Sequence, residues 1–185
     1  MAGSAAGRIA VDLRGVMRTF ATGVCVATTY VDRPGGRRHD GVTINSLSSV
    51  SLVPPLVSIC LRLESVFLAD VLETGRWAVS ILPEGAREIA RLLAKDRRQR
   101  ADALGTLPLS PGPATGALVV DGAGVLECEL WNSFDLGDHR LVVGEVVGTD
   151  DRRDGPPLLF AHGGYQRLAD PGPVPLQDRV SDEWW

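Results

Sequence analysis

Apolar and polar residues along the chain form mainly short runs that predict β-strands joined by turns, with three helices inserted among them. Helical spacing of apolar residues occurs over 11–21, between Ser65 and Gly75, and over 84–95. Runs typical of strands cover 24–31, 43–46, 56–61, 77–82, 117–120, 124–136, 140–149, 158–160 and 163–168. Because these strands do not alternate strictly with helices, the pattern predicts a mainly β fold, an antiparallel barrel with peripheral helices.

Three local patterns refine this prediction. Residues 32–41 are predicted to form a turn-rich connector. In 125–131, Val125, Glu127, Glu129 and Trp131 alternate with apolar residues, which indicates a half-exposed antiparallel strand. The basic run 95–102 is either a solvated helix end or a segment that attracts the phosphates of a nucleotide cofactor.

Composition indicates one globular domain. The 185 residues are 44% hydrophobic and 23% charged, which is enough apolar material for a substantial core. We expect a flexible N-terminus over 1–10, one domain over 11–168, and an extended C-terminal tail over 169–185.

Charge, hydropathy and cysteine use argue against several classes of partner. A net charge of −4 lacks the basic footprint of a nucleic-acid-binding protein. No apolar run approaches the ~20 residues that span a bilayer, and the first residues lack the hydrophobic region of a signal peptide. Cys25, Cys60 and Cys128 each lie in an apolar β-like run, so we expect buried, reduced thiols in a cytoplasmic protein.

The segment from Gly41 to Leu61 carries a high density of short polar side chains. They are interleaved with Val, Ile and Leu, at Thr43, Asn45, Ser46, Ser48, Ser49, Ser51 and Ser58. A core strand has no use for so many polar groups, whereas each could hydrogen-bond a polar, planar ligand. Backbone N–H groups between them could hold a phosphate, and Pro54-Pro55 are expected at a strand start or bend.

Two glycine-containing motifs are further candidates. His139 follows Gly137 and Asp138 between two long predicted strands, so it is either a solvated turn residue or a side chain aimed into the barrel mouth. The glycine pair before Tyr165 permits close approach to a ligand, or forms a simple bend packed by the ring. Dinucleotide-binding, P-loop, zinc-protease and serine-hydrolase motifs are absent from the sequence. The three histidines share no metal-site spacing, so we predict no metal.

Together these motifs resemble the short-chain flavin reductases of the FMN-binding split-barrel type, the reductase components of two-component flavin-dependent monooxygenases. The resemblance covers residues 12–168. Segment 17–29 resembles the family's opening helix and first strand, 40–61 its flavin-binding signature, and the segments GDHRLVVGEVV and GGYQRL two of its later strands. It implies a six-stranded antiparallel split β-barrel, and a homodimer with flavin near the subunit interface.

Carried over by position, the resemblance also implies roles for individual residues. The flavin-binding residues would be Thr43, Ile44, Asn45, Ser46, Ser49, Ser51, Leu61, Arg62, Ser65 and Tyr165. Residues 43–46 would border the flavin ring, and Ser49 and Ser51 would hold the ribityl chain or phosphate. Leu61, Arg62 and Ser65 would surround the phosphate, which suits the free N–H groups of a helix N-terminus. Tyr165 would help to close the pocket. His139 would lie beside the nicotinamide and position it.

Two residues depart from the family pattern. Phe67 stands where the family commonly has a threonine, which removes one expected phosphate contact and suggests that flavin behaves as an exchangeable substrate. Arg140 stands where an apolar residue is usual, and would either contact a nucleotide phosphate or be solvated.

The implied activity is that of an NAD(P)H:flavin oxidoreductase. Hydride would pass from nicotinamide C4 to flavin N5, and reduced FMN or FAD would then leave for a separate monooxygenase. Two alternatives stay open: another flavin-dependent enzyme on the same barrel, or a flavin-binding carrier module without reductase activity. The sequence does not decide between FMN and FAD, or between NADH and NADPH.

Overall fold

The computed structural model describes residues 11–151 and 155–169. The predictions for 1–10 and for nearly all of the 169–185 tail lie outside these residues. The helices are α1 (Leu13–Met17), α2 (Val66–Thr74), α3 (Arg87–Leu93), which a 3-10 turn (Glu84–Ala86) precedes, and α4 (Arg97–Leu104). The strands are β1 (Thr22–Gly23), β2 (Cys25–Arg33), β3 (Gly36–Ile44), β4 (Ser48–Leu52), β5 (Pro55–Arg62), β6 (Arg76–Ile81), β7 (Leu109–Pro111), β8 (Leu118–Val120), β9 (Gly124–Leu136), β10 (His139–Asp150), β11 (Leu159–Ala161) and β12 (Gly164–Gln166).

Seven of these strands form one antiparallel sheet in the order β3-β2-β6-β9-β10-β5-β4. A three-stranded sheet, β1-β11-β12, and the β7–β8 hairpin complete the described strands, and every pairing is antiparallel. The predicted mainly β fold with a few helices is therefore confirmed.

The largest core cluster contains side chains from both ends of this sheet. Ile44 of β3 packs in the same cluster as Ile59 of β5, together with Phe67 of α2 and Trp77 of β6. These four side chains are between 0% and 8% exposed. Burial of apolar surface stabilises a fold by about 25 cal/mol per Å², so this cluster helps to hold β3, β5, β6 and α2 together.

Helix α2 matches its prediction closely. Ser65 is its N-cap, Phe67 and Val71 are fully buried, and Gly75 ends it in the left-handed conformation at φ 67°. The Gly75 N–H donates to the Val71 carbonyl at 2.8 Å. Glycine is suited to this C-terminal position because it carries no Cβ. Pro55 begins β5, which also agrees with the prediction for the Pro54-Pro55 pair.

The predicted helix over 11–21 is wrong in length. The helix covers only Leu13–Met17, and none of its residues is buried. Its apolar side chains are exposed, with Val16 at 68% and Phe20 just beyond the helix at 62%.

The predicted connector over 32–41 is also wrong, because strands β2 and β3 continue through it. Arg33 pairs with Gly36, so the turn consists of two residues.

The predicted antiparallel strand over 125–131 is present within β9, but its prediction of an exposed side chain is wrong for Glu127, which is 2% exposed. Its carboxylate accepts hydrogen bonds from the Thr115 N–H and hydroxyl at 2.7 and 2.8 Å, which offset the cost of burial.

The basic run 95–102 is not simply a solvated helix end. Arg100 contacts buried Asp40 at 3.1 Å, and Arg97 lies 3.3 Å from buried Asp70 and 3.6 Å from Asp40. The two arginines therefore hold α4 against β3 and α2.

The expectation of buried thiols is correct for two cysteines and wrong for Cys60, which is exposed. All three are free, and burial raises the pKa of Cys25 and of Cys128 to about 12. Among the described residues, no helix is long and apolar enough to cross a membrane. The same residues contain no group of three or more His, Cys, Asp or Glu side chains that could hold a metal ion.

Candidate functional site

Three cavities meet at Asn45, directly after β3 ends. Their volumes are about 510, 240 and 190 Å³, and Asn45 lines all of them. The end of β3 is fixed by pairing, because Ile44 lies opposite Cys25 of β2 and is itself buried. The chain therefore leaves the sheet at Asn45 and exposes this side chain to all three cavities.

The largest of the three lies between α1 and the segment that follows β3. Its walls include Met17 and Phe20 on one side and Asn45 to Ser48 on the other. Cys25 and Ile81, at the ends of two neighbouring strands, also line it. A mainly apolar cavity with a few polar groups is typical of a ligand-binding site.

The polar residues around Asn45 differ in whether their hydrogen bonds are already made. The Thr43 hydroxyl donates to the Ala90 carbonyl at 2.7 Å. The Ser46 hydroxyl lies 3.1 Å from the Cys60 N–H and 3.3 Å from its carbonyl. The Asn45 amide makes no hydrogen bond within the described residues. Thr43 and Ser46 therefore anchor the segment, and Asn45 is available to a ligand.

Tyr165 lies beside the Thr43–Asn45 segment. Tyr165, Phe160, Thr43 and Asn45 line the 190 Å³ cavity together. The Tyr165 ring packs edge to face on Phe160 at 5.8 Å, and burial raises the pKa of the Tyr165 hydroxyl. The preceding turn has positive φ at His162 and at Gly163, so the second of these positions favours glycine.

A second group of predicted residues lies at the end of β5. Arg62 is the register partner of His139, the first residue of β10, and the Leu63 N–H donates to the Asp138 carbonyl at 3.1 Å. Ser65 follows as the N-cap of α2, without a side-chain capping bond. Cys60, which Ser46 contacts, is two residues from Arg62, about 7 Å along the strand. The two groups are therefore neighbours on one surface.

His139 lies in the tight turn predicted for it, next to Gly137 at φ 64°. Its side chain is 41% exposed, and its Nδ1 lies 2.7 Å from an Asp138 carboxylate oxygen. This hydrogen bond lowers the pKa of Asp138. Arg140 makes a bidentate ion pair with Asp135 at 2.5 and 2.8 Å, so its guanidinium already has a partner.

The remaining predicted residues are less closely associated with the cavities. Ser49 and Ser51 lie on the edge strand β4. Within the described part of the chain, neither residue lines any of the three cavities that meet at Asn45. Leu61 is 6% exposed and its side chain packs in the core. Only its backbone is positioned to face a ligand. A further cavity of about 520 Å³, between Ser110, Asp121 and Thr149, contains no predicted site residue.

Residues 17–169 match the flavin reductase like domain family. The chain belongs to this family. It is 36% identical to the NADH-dependent FAD reductase of Streptomyces globisporus over 163 residues, which cover 86% of each chain. It is 35% identical to the reductase component of 4-hydroxyphenylacetate 3-monooxygenase from Thermus thermophilus, over 82% of this chain and 92% of that protein.

A solved structure shows the same fold in this flavin reductase family. The NADH:FAD oxidoreductase of Streptomyces globisporus C-1027, in complex with NAD and FAD fragments, superposes with a TM-score of 0.78 at 33% identity, over 87% of this chain and 93% of that one. The predicted family is confirmed, and so is the prediction of a flavin reductase with a nicotinamide hydride donor.

Sequence reasoning missed one whole wall of the site in this flavin reductase. Arg14, Met17, Arg18 and Phe20 line the cavities from the α1 side, and Phe160 lines two of them. The helical spacing of residues 11–21 carried a signal for α1. Periodicity predicts a helix there, but it cannot distinguish an apolar stripe that faces the core from one that faces a cavity.

Proposed function

We propose that this flavin reductase binds flavin where the three cavities meet at Asn45, and reduces it there with NADH or NADPH. The observation that carries the proposal is the exposed Asn45 amide, which has no internal partner among the described residues and lines all three cavities. An amide offers both donors and an acceptor, as the polar edge of a flavin ring requires. When both ligands are bound, NAD(P)H supplies a hydride and flavin accepts it.

The protein groups divide between anchoring, binding and enclosing roles. Thr43 and Ser46 hold the segment through their own hydrogen bonds, while Asn45 binds the ring edge beside Ile44. Tyr165 closes the pocket on Phe160. Such a site needs little acid–base chemistry, because reaction depends mainly on holding two rings in contact with water excluded.

The flavin phosphate belongs, in this proposal, at the start of α2. Arg62 is exposed and makes no ion pair in the described part of the chain, and Ser65 leaves its hydroxyl without a capping bond. The Leu61 backbone adjoins them, and Ser49 and Ser51 approach the ribityl chain from β4. Phe67, in place of a hydroxyl residue, is fully buried in the core and offers no phosphate contact. This favours flavin that exchanges between turnovers.

His139 is proposed as the residue that positions the nicotinamide. It is partly exposed, its ring is oriented by Asp138, and it lies opposite Arg62 in the β5–β10 ladder. The reduced flavin then leaves for a separate monooxygenase. The name of the Thermus thermophilus relative, a monooxygenase reductase component, supports a partner of this kind.

We also propose the finer architecture that the family implies. Strands β2, β3, β5, β6, β9 and β10 would close as a six-stranded split barrel, with β4 as an added edge strand. The shared core of Ile44 and Ile59, and the Ser46 contact to Cys60, support closure between β3 and β5. Residues 11–168 would be the catalytic domain, and 169–185 a separate tail.

A homodimer in the cytoplasm completes the proposal. Apolar side chains remain exposed along β9, at Trp131 (55%), Phe134 (49%) and Leu136 (58%). A patch of this kind is typical of a protein interface, and a second copy would bury it. The three free cysteines support a reducing compartment.

The test combines turnover with flavin titration. Purified, flavin-free protein should oxidise NADH or NADPH only when flavin is added, and Asn45→Ala should weaken flavin binding by about 1–3 kcal/mol, the scale of an unpaired polar group. Gln99→Ala is the matched control, because Gln99 is an exposed amide on α4 that lines none of the three cavities. Fluorescence quenching gives the flavin Kd. An unchanged Kd in Asn45→Ala would show that the ring lies elsewhere.

His139→Ala separates the two ligands in the same assay. Turnover should fall while the flavin Kd stays near wild type, because hydride transfer depends steeply on ring placement. Loss of flavin binding with full turnover at saturating flavin would reverse the assignment. No change in either quantity would make His139 a solvated turn residue.

A further inference from the structure

Two arginines of α1 face the candidate site from the side opposite β3. Arg14 and Arg18 line the 240 Å³ cavity together with Met17, Asn45 and Phe160. They are four residues apart in and just after a helix, so their side chains leave the same face. Both are exposed.

Neither guanidinium has a hydrogen bond or ion pair within the described residues. Most other described arginines are committed to carboxylates: Arg33 to Glu73, Arg37 to Asp32, Arg38 to Asp70, Arg76 to Glu129, Arg91 to Glu88, Arg97 and Arg100 to Asp40, Arg140 to Asp135, and Arg167 to Glu84. The α1 pair is therefore set apart both by its place on a cavity and by its lack of carboxylates.

Two like charges at this helical spacing repel one another. An anion between them would remove the repulsion and accept several charge-assisted hydrogen bonds, since a guanidinium matches phosphate geometry. A backbone hydrogen bond fixes the end of α1, because the Arg18 carbonyl accepts from the His162 N–H at 2.7 Å.

We propose that Arg14 and Arg18 form the subsite for the phosphate groups of the nicotinamide donor. This inference rests on the proposed function, which places the flavin ring at Asn45. Flavin nucleotides also carry phosphate, but the proposed function assigns the flavin phosphate to Arg62 and Ser65. Within the described residues, neither of these lines a cavity with Arg14 or Arg18. A second anion close to the ring edge is then the pyrophosphate of the dinucleotide that stacks on it.

The experiment uses the full chain, FMN as the flavin for turnover, FMN and FAD for flavin titration, and two hydride donors. NADH carries the pyrophosphate, and N-benzyl-1,4-dihydronicotinamide carries no phosphate. The variants are Arg14→Gln, Arg18→Gln and the double variant. Arg98→Gln is the control, since Arg98 is an exposed arginine on α4 that lines none of these cavities and has no ion pair among the described residues.

Each single variant should raise the KM for NADH about tenfold, the scale of one lost charge-assisted hydrogen bond, and the double variant should raise it further. The kcat and the FMN Kd should stay near wild type. The KM for the phosphate-free donor should be unchanged in every variant, and added salt should raise the NADH KM less in the variants than in wild type. Arg98→Gln should match wild type throughout.

Three outcomes would overturn the inference. An unchanged NADH KM would show that the arginines bind nothing, and an equal rise in KM for both donors would show a structural role for α1. A weaker FAD Kd with an unchanged FMN Kd and NADH KM would assign the subsite to the pyrophosphate of FAD. Wild-type protein that turns over neither donor would instead contradict the proposed function, so the two failures are distinguishable.

Discussion

Asp40 is the residue whose removal should destabilise this protein most clearly through charge. Its side chain is 4% exposed and contacts Arg100, which is 12% exposed, at 3.1 to 3.3 Å through two nitrogens. The Gly41 N–H also donates to it at 2.8 Å. Asp40→Ala would leave the Arg100 cation buried without a counter-charge. Breaking a buried pair in this way costs about 3–5 kcal/mol.

Glu73→Ala is the matched control, because it breaks a pair with shorter distances on the surface. Glu73 accepts from Arg33 at 2.6 and 2.8 Å, but both side chains are about half exposed. An exposed pair of this kind contributes little, because water and salt screen the two charges. Distance alone would rank the Glu73 pair as the stronger one, whereas burial reverses the order.

Urea unfolding measured by circular dichroism gives the free energy of unfolding of both variants from midpoint and slope. The double variant Asp40→Ala/Arg100→Met should recover part of the loss, because it removes the unpaired cation and fills the space with an apolar side chain. If Glu73→Ala costs as much as Asp40→Ala, or if the double variant is the least stable, the argument from burial is wrong.

Two further predictions concern packing and pH. Gly144→Ala should destabilise the fold by about 1–3 kcal/mol, because a Cβ there would lie 2.5 Å from the fully buried Trp77 ring, while Gly124→Ala, with its nearest atom at 3.9 Å, should be close to neutral in the same unfolding assay. Burial lowers the pKa of His39, so the folded state resists a proton that the unfolded chain accepts. Stability should fall as pH drops below the ordinary value of about 6.5. His39→Gln should show a smaller fall, and equal slopes would contradict the assignment.

Elements defined by local signals could be predicted from the sequence. Helix α2 and its Gly75 C-cap depend on residues within one short segment, and the hairpin at Gly137 needs only a tight turn between two alternating runs. The polar segment around Asn45 was recognisable for a similar reason, because hydroxyl and amide residues in a β-like run are unusual on their own.

Features that depend on distant partners could not be predicted. The basic run 95–102 is anchored by Asp40, which lies some 60 residues earlier in the chain. Burial of Glu127 is offset by hydrogen bonds from Ala114 and Thr115, which lie in a separate segment. The position of helix α1 also depends on distant residues. Its spacing predicts a helix but not its surroundings, and α1 contributes no buried residue while its side chains line cavities.

The polar residues of the site differ in function according to whether their side chains already form hydrogen bonds within the protein. Thr43 and Ser46 have internal hydrogen bonds, so their removal should loosen the segment and affect flavin only indirectly. Asn45, Arg14 and Arg18 have no such bonds within the described residues, yet all three line the same 240 Å³ cavity. Solvated polar groups around a cavity can exchange water for ligand at little cost to the fold. The residues that bind should therefore be those whose loss changes ligand affinity and leaves the free energy of unfolding unchanged.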